Sequence, residues 1–409
     1  MRQLKRLWHL VCAGFVLTAP VVGACSPSPG PQLSSIETDA PWTAGFRSSA
    51  HHWLDLTDDE RVISPLPDQP HYPPSDVVSI ADNILLYQNE NGGWPKNYDM
   101  WAILTDDQVA RLRDAKESTT TTFDNGATHS QVHFLAHAYQ ETGEQRYRDA
   151  CVRGLDFILS AQYENGGWPQ SFPNRSGYRR HITFNDGAMI GVMSVLKRIV
   201  EGDPDFEFVD EIQQERVRQA YTKGLACILR CQIVEAARLK AWCQQHDEVD
   251  FRPRGARTFE LPSIASEESA QIILFLMGID APDSTLVRAI SAAVHWFQEV
   301  ALSGLRVKVV QAPVTDYRYH RSREDMVVVH DPDAPPIWAR YYELDTGKPL
   351  FCNRDGKAVY SLEEVERERR TGYAWYSYAP QEVLQRYTTW ARDWMPVRIH
   401  LECSEAIKW

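Results

Sequence analysis

The sequence reads as a mainly α-helical protein: an (α/α)3 toroid-like helical repeat domain with long loops and a few short strands. Three observations predict this. Apolar residues recur at helical spacing in many segments, as in SDVVSIADNILLYQ from Ser75 to Gln88. The motif QNENGGWP (88–95) returns as QYENGGWP (162–169), and TFDNGAT (122–128) returns as TFNDGAM (183–189), in the same order. Each copy has a helix ending in a GGWP loop, an irregular stretch, and an Asx-Gly turn that opens the next helix. Such repetition marks units that bury their apolar faces on one another, and three helical pairs closing on themselves would bring three sets of loops to one end.

The elements follow in chain order. Arg2, Lys5 and Arg6 precede an apolar run from Leu7 to Val22 and a small-residue site at Gly23-Ala24, the pattern of an export signal over residues 1–24. VGAC resembles a lipobox, so Cys25 is expected to be the lipidated first residue of a lipoprotein, with ordinary signal cleavage as the alternative. Residues 25–45 then form a tether, rich in Ser, Pro and Gly at its start, and 46–409 the (α/α) toroid domain. An irregular wrap is expected over 35–75, followed by helices at 75–88, 131–142, 145–161, 187–201, 217–240 and 284–299. A looser third copy of the repeat joins AWCQQHD to ELPSIASEES and the helix SAQIILFLMG. After Gly304 the pattern alternates like strands. SLEEVERERR reads as a charged, solvated helix, and a last amphipathic helix runs from about Pro380 to Asp393.

If the copies are equivalent, Trp94, Trp168 and Trp242 hold corresponding loop positions. Asp124, Asp186 and the Arg257 loop hold the other set, and all converge on one cleft. Asp in an Asx-Gly turn ordinarily caps the next helix. Two such turns before equivalent helices could instead aim both carboxylates at a shared hard cation such as Ca2+.

The stretch WCQQHDEVDFRPRGARTFELPSIASEES from Trp242 to Ser269 packs a Trp, a His, acids and Arg252, Arg254 and Arg257 between two helices. With Lys96 and Arg340 these cations suit bidentate recognition of sugar carboxylates. His181 and His246 are acid/base candidates that could equally be structural. Of the cysteines outside the export segment, buried thiols are expected, with a disulfide possible. The net charge is −12 from 43 basic and 55 acidic residues, and removing segment 1–24 makes it −15. That balance argues against nucleic acid and leaves an acidic polymer in need of bridging cations. No GxSxG, HExxH, Walker loop or strand-flanked GxGxxG occurs.

NGGWPKNYDM, TTFDNGAT, HITFNDGAM, WCQQHD, RGARTFELPS and WARYYEL…GKPLFCNRDG, in this order, resemble the family-ten polysaccharide lyases, which are pectate lyases. The resemblance covers roughly residues 75–395. It implies an (α/α) toroid, Ca2+ dependence and β-elimination of de-esterified polygalacturonate to unsaturated oligogalacturonides. By position it makes Arg257 the catalytic base, Asp124 the aspartate that engages Ca2+, and Asp186 a second acid of the cleft. Lys96 and Arg340 match cationic subsite residues; Asn125, Trp242, His246, Asp247 and Arg254 complete the expected substrate contacts. Relatives commonly read NDDAM where this chain has Gly187. An arginine base requires strongly cationic, desolvated surroundings. Membrane contact is expected only through a lipid on Cys25, and a monomer is expected. The alternatives are a non-catalytic oligogalacturonide-binding lipoprotein and a glycoside hydrolase using Asp124 and Asp186.

Overall fold

The computed structural model describes residues 43–55 and 61–395. The export signal, Cys25 and residues 25–42 of the tether lie outside the described residues. Eleven α-helices are described: α1 (Thr43–Asp55), α2 (Val77–Tyr87), α3 (Asp106–Asp114), α4 (His129–Thr142), α5 (Gln145–Ala161), α6 (Ala188–Val200), α7 (Glu211–Cys231), α8 (Ser266–Met277), α9 (Ser284–Val300), α10 (Arg367–Thr371) and α11 (Ala379–Trp394). The fold is the (α/α)3 toroid that the repeats predict. Helices α2, α5, α7 and α9 form an outer row, and α4, α6, α8 and α11 an inner row packed against it.

Two devices repeat along the rows. The indole N–H of Trp94 donates to the Ile84 carbonyl, that of Trp168 to Ile158, that of Trp242 to Ile228 and that of Trp338 to Phe297, at 2.8–2.9 Å. Each indole therefore satisfies a carbonyl on an outer helix, a group that burial would make costly to leave open. The residue just after each of the first three outer helices is a glutamine. Gln88 donates to Ala150 O on α5, Gln162 to Ala220 O on α7 and Gln232 to Ala289 O on α9. These amides also hold their own loops, through Gly92, Gly166 and Lys240. The paired glycines of GGWP have a steric cause. Gly92 and Gly166 have φ of +90° and +95°, and a Cβ there would lie 2.5 and 2.1 Å from the Arg153 and Lys223 carbonyl oxygens.

Several expectations are corrected. The stretch 35–75 contains α1, whose Phe46 and Trp53 are fully buried. Helix α7 stops at Cys231, and Val234–Glu235 pairs with Arg238–Leu239 in a small hairpin, because Ala236 and Ala237 take positive φ. SLEEVERERR is not a solvated helix; only Arg367–Thr371 is α-helical, and Arg369 is buried against Phe259. The strand-like region is a long antiparallel ribbon, Leu305–Asp316 against Arg321–His330. Cys151, Cys227, Cys231, Cys243 and Cys352 are buried free thiols.

Candidate active site

The turns before α4 and α6 pack on each other and carry the two aspartates. They are not strictly equivalent. Asp124 aligns with Asn185, and Asn125 with Asp186; the left-handed backbone position is Asn125 (φ 50°) in one copy and Asp186 (φ 49°) in the other. Asn and Asp tolerate that conformation because their short polar side chains bond locally. Neither aspartate caps the following helix, so the ordinary reason for Asp in such a turn is absent.

Asp124 is buried and accepts from Lys96 Nζ at 3.0 Å through Oδ2, while its enclosed Oδ1 makes no hydrogen bond of good geometry, although the Gln170 and Asp186 side chains lie close enough to help hold the carboxyl ionised. Gln170 Oε1, on the adjoining wall, likewise has no hydrogen-bond partner. A cavity of about 320 Å3 opens here between Lys96, Thr122, Asp124, Gln170 and Arg179. A wider groove of about 580 Å3 between α8 and α11 shares no residue with these turns or with the Arg257 loop. Burial opposes ionisation of Asp124, but Lys96 outweighs it and holds the carboxyl below its usual range. Asp186 is reached by solvent yet walled in by the cleft. That enclosure, then the charge of Asp124, push it up to about 7, against the pull of Arg340 and Arg257.

Arg340 lies beside the Asp186 turn. Its Nη2 donates to Asn185 Oδ1 at 3.1 Å and to Glu268 Oε1 at 2.7 Å, whereas its Nε and Glu268 Oε2 are buried without partners. Arg257 is set on a tight loop and gripped by Glu260. Its Nε and Nη2 donate to Oε2 and Oε1 at 2.8 and 2.5 Å, and its backbone N–H donates to Oε2 at 3.0 Å. Tyr373 Oη donates to Glu260 Oε1 at 2.7 Å and lies 2.5 Å from Tyr341 Oη. Arg369 and Arg354 flank the same Phe259 ring as Arg257. The groups that act on its charge, Glu260, Tyr373 and Asp186, are acidic, the opposite of the cationic surroundings expected for an arginine base. Burial favours the neutral guanidine, and Glu260 overrides it, holding Arg257 firmly protonated.

Asp124, Asp186, Lys96, Arg257 and Arg340 therefore share one electrostatic neighbourhood, with Asp186 sensing Asp124, Arg340 and Arg257 together. The other expected substrate contacts fare differently. Trp242 and His246 are fully buried, so neither can touch a polymer. Trp242 anchors its repeat, and His246 bonds the Phe251 carbonyl and the Cys243 amide. Asn125 is buried too, donating to Asn97 and so bracing the Lys96 loop. Asp247 and Arg254 form an ion pair at 2.9 Å near the surface. His181 bonds Glu248 at 3.0 Å and, with Asp247, makes a second cluster of potential metal ligands, but Arg180 and Arg254 already balance its acids. Glu260, Glu268, Gln170 and Tyr373 were not singled out from sequence. Glu260 stood in RGARTFELPS, three residues after Arg257, at a spacing that a tight turn brings back.

A family model described as pectic acid lyase matches residues 88–384. The chain belongs to that family. Two solved structures share the lyase fold: a family 10 polysaccharide lyase from Cellvibrio cellulosa (30% identity, covering 77% of this chain and 91% of that one, TM-score 0.64) and a mutant of family 10 polysaccharide lyase from Cellvibrio cellulosa in complex with trigalacturonic acid (29%, 78% and 93%, 0.64). No curated protein sequence matches. This protein is accordingly a polysaccharide lyase, and the matched span contains both copies of the GGWP and Asx-Gly motifs and every site residue named above.

Proposed function

We propose that this lyase is a pectate lyase that cleaves de-esterified polygalacturonate by Ca2+-assisted β-elimination, outside the cytoplasm as the export signal implies. The observation that carries the reading is the gathering of Asp124, Asp186, Gln170, Lys96 and Arg340 about two turns packed on each other, where buried oxygens without hydrogen-bond partners stand near cationic side chains. The neighbour bound to trigalacturonic acid supports an acidic galacturonide substrate.

The donor set suits a hard cation. Asp124 Oδ1, Gln170 Oε1 and the Asp186 carboxylate are all oxygens, two of them enclosed without a hydrogen-bond partner, and the raised Asp186 carboxyl reflects a like charge that a dication would neutralise. Bound there, Ca2+ would withdraw charge from the uronate carboxylate and make the C5 proton more acidic. Arg340, with a free Nε, and Lys96 are placed to hold the same carboxylates. Glu260 takes Nε and Nη2 of Arg257, which leaves Nη1 to face the sugar. The family resemblance makes Arg257 the group that accepts the C5 proton; the C5–H electron pair becomes the C4–C5 double bond as the C4–O bond breaks, and the departing glycosidic oxygen keeps that bond's pair and takes up a proton from water. On polygalacturonate the expected product absorbs in the ultraviolet through its conjugated alkene, and chelator or Arg257→Ala abolishes it. Saturated sugars released with chelator present would instead indicate hydrolysis.

A further inference from the structure

We infer that the tip of the ribbon Leu305–Asp316/Arg321–His330 carries an outlying subsite for uronate units of a long chain, formed by Arg318, Tyr319 and Arg354; this rests on the lyase reading above. The ribbon is fastened to the wall of the cleft. Arg367 of α10 donates to the carbonyls of Pro313 and Glu324 from both strands. Arg370 pairs with Asp325 at 2.7 Å, and His320 Nε2 lies 3.0 Å from Thr371 Oγ1. The same short helix puts Arg369 against Phe259, the ring under Arg257. The tip is thereby held in a fixed relation to Arg257.

A line of rings and guanidinium groups leads outward from the cleft. Arg257 lies 4.9 Å from the Phe259 ring, Arg354 lies 5.5 Å from that ring and 4.9 Å from the Tyr319 ring, and Arg318 lies 5.0 Å from Tyr319. Tyr319 and Arg318 are exposed at its end. Arg354 uses Nε and Nη2 on Glu368, leaving Nη1 unspent. Among the described residues Arg318 makes no ion pair, and its guanidinium lies over the Tyr319 ring. A cation without a carboxylate partner, beside an exposed aromatic face on a protein of net charge −12, selects against most of the molecule's own surface and for an anionic sugar. The ring supplies a stacking face and the guanidinium groups supply forks for the carboxylates, the two features that a polyuronate presents in alternation.

The experiment compares wild type with Arg318→Ala, Tyr319→Ala, the double variant and Arg318→Lys on trigalacturonate and on long polygalacturonate. Initial rates are measured alongside retardation in gels containing polygalacturonate. The subsite predicts that the alanine variants raise KM for the polymer by about 5-fold each with kcat kept. It also predicts unchanged KM for trigalacturonate, reduced retardation, and a partial return with Arg318→Lys. Equal effects on both substrates, or none, overturn the subsite. If wild type is retarded but inactive and the alanine variants lose retardation, the lyase reading falls while the subsite stands. Absence of both retardation and activity in wild type overturns both.

Discussion

At the residue scale, Glu260 sets the terms on which Arg257 can work. A carboxylate in bidentate contact stabilises the cation, so a proton-accepting Arg257 must first give up that stabilisation. Replacing Glu260 by Gln keeps an acceptor and removes the charge. If Arg257 accepts the C5 proton, the rise of kcat with pH is expected to move to lower pH in Glu260→Gln; an unmoved profile would leave Arg257 only the role of a fixed cation. The paired aspartates lead to a second expectation. Asp186 titrates at about 7 because it is enclosed and faces Asp124, and cation binding must displace that proton. Ca2+ affinity should therefore weaken as pH falls below about 7, approaching tenfold per unit, which calorimetric titration at several pH values would check. Asp124, held ionised by Lys96, contributes no such step in that range. The sequence exposed Asp124, Asp186 and Arg257 through their repeated and Gly/Pro-bearing loops. It could not expose Glu268 or Gln170, since acids in the first turn of a helix, here Glu267 and Glu268, and a Gln in a loop carry no distinguishing pattern until the fold brings them together.

At the element scale, the repeat was legible and the job of its tryptophans was not. A loop Trp is more often a packing residue than a sugar platform, and Trp94, Trp168 and Trp242 are wholly internal and bond the preceding outer helix, a role the sequence alone does not specify. Trp338 does the same for α9 but escaped notice, because the ribbon inserted before it stretches the spacing from 74 residues to 96. Helix α1 was missed because TAGFRSSAHHWLD has only two large buried anchors, Phe46 and Trp53, amid mostly polar residues, while its Leu54 is exposed. The glutamines after α2, α5 and α7 are the better marker of the architecture, since each ties one outer helix to the next. Gln162→Ala removes two amide hydrogen bonds, to Gly166 O and Ala220 O, and should lower unfolding free energy by about 1–3 kcal/mol. Denaturant titration would read this as a lower midpoint at unchanged slope, with KM and kcat of the folded enzyme preserved.

At the scale of the whole molecule, the helical rows enclose imidazoles that the chemistry does not use. His129 and His133 on α4 and His246 beneath the site are each pushed down to about 4, in every case chiefly by burial. The unfolded chain would protonate them near 6.5, so below that pH it binds protons that the folded protein refuses, and folding loses free energy as pH falls from about 6.5 to about 4. Each group can contribute about 3 kcal/mol when the loss is complete, comparable together to the whole stability of an ordinary domain. Asp186 acts in the opposite sense. Its raised carboxyl makes the folded state take up a proton between about 7 and the usual carboxylate value, which returns part of the loss. Three imidazoles outweigh one carboxyl, so the melting temperature is expected to fall steeply between pH 6 and pH 4, a range set by those shifts. Replacing His133 with Gln should flatten that slope by about half, since three imidazoles opposed by one carboxyl leave a net difference of about two protons, which the variant cuts to about one. A slope left unchanged in His133→Gln would mean that its imidazole gains a compensating partner on protonation, and that acid sensitivity arises from the paired carboxylates of the surface instead.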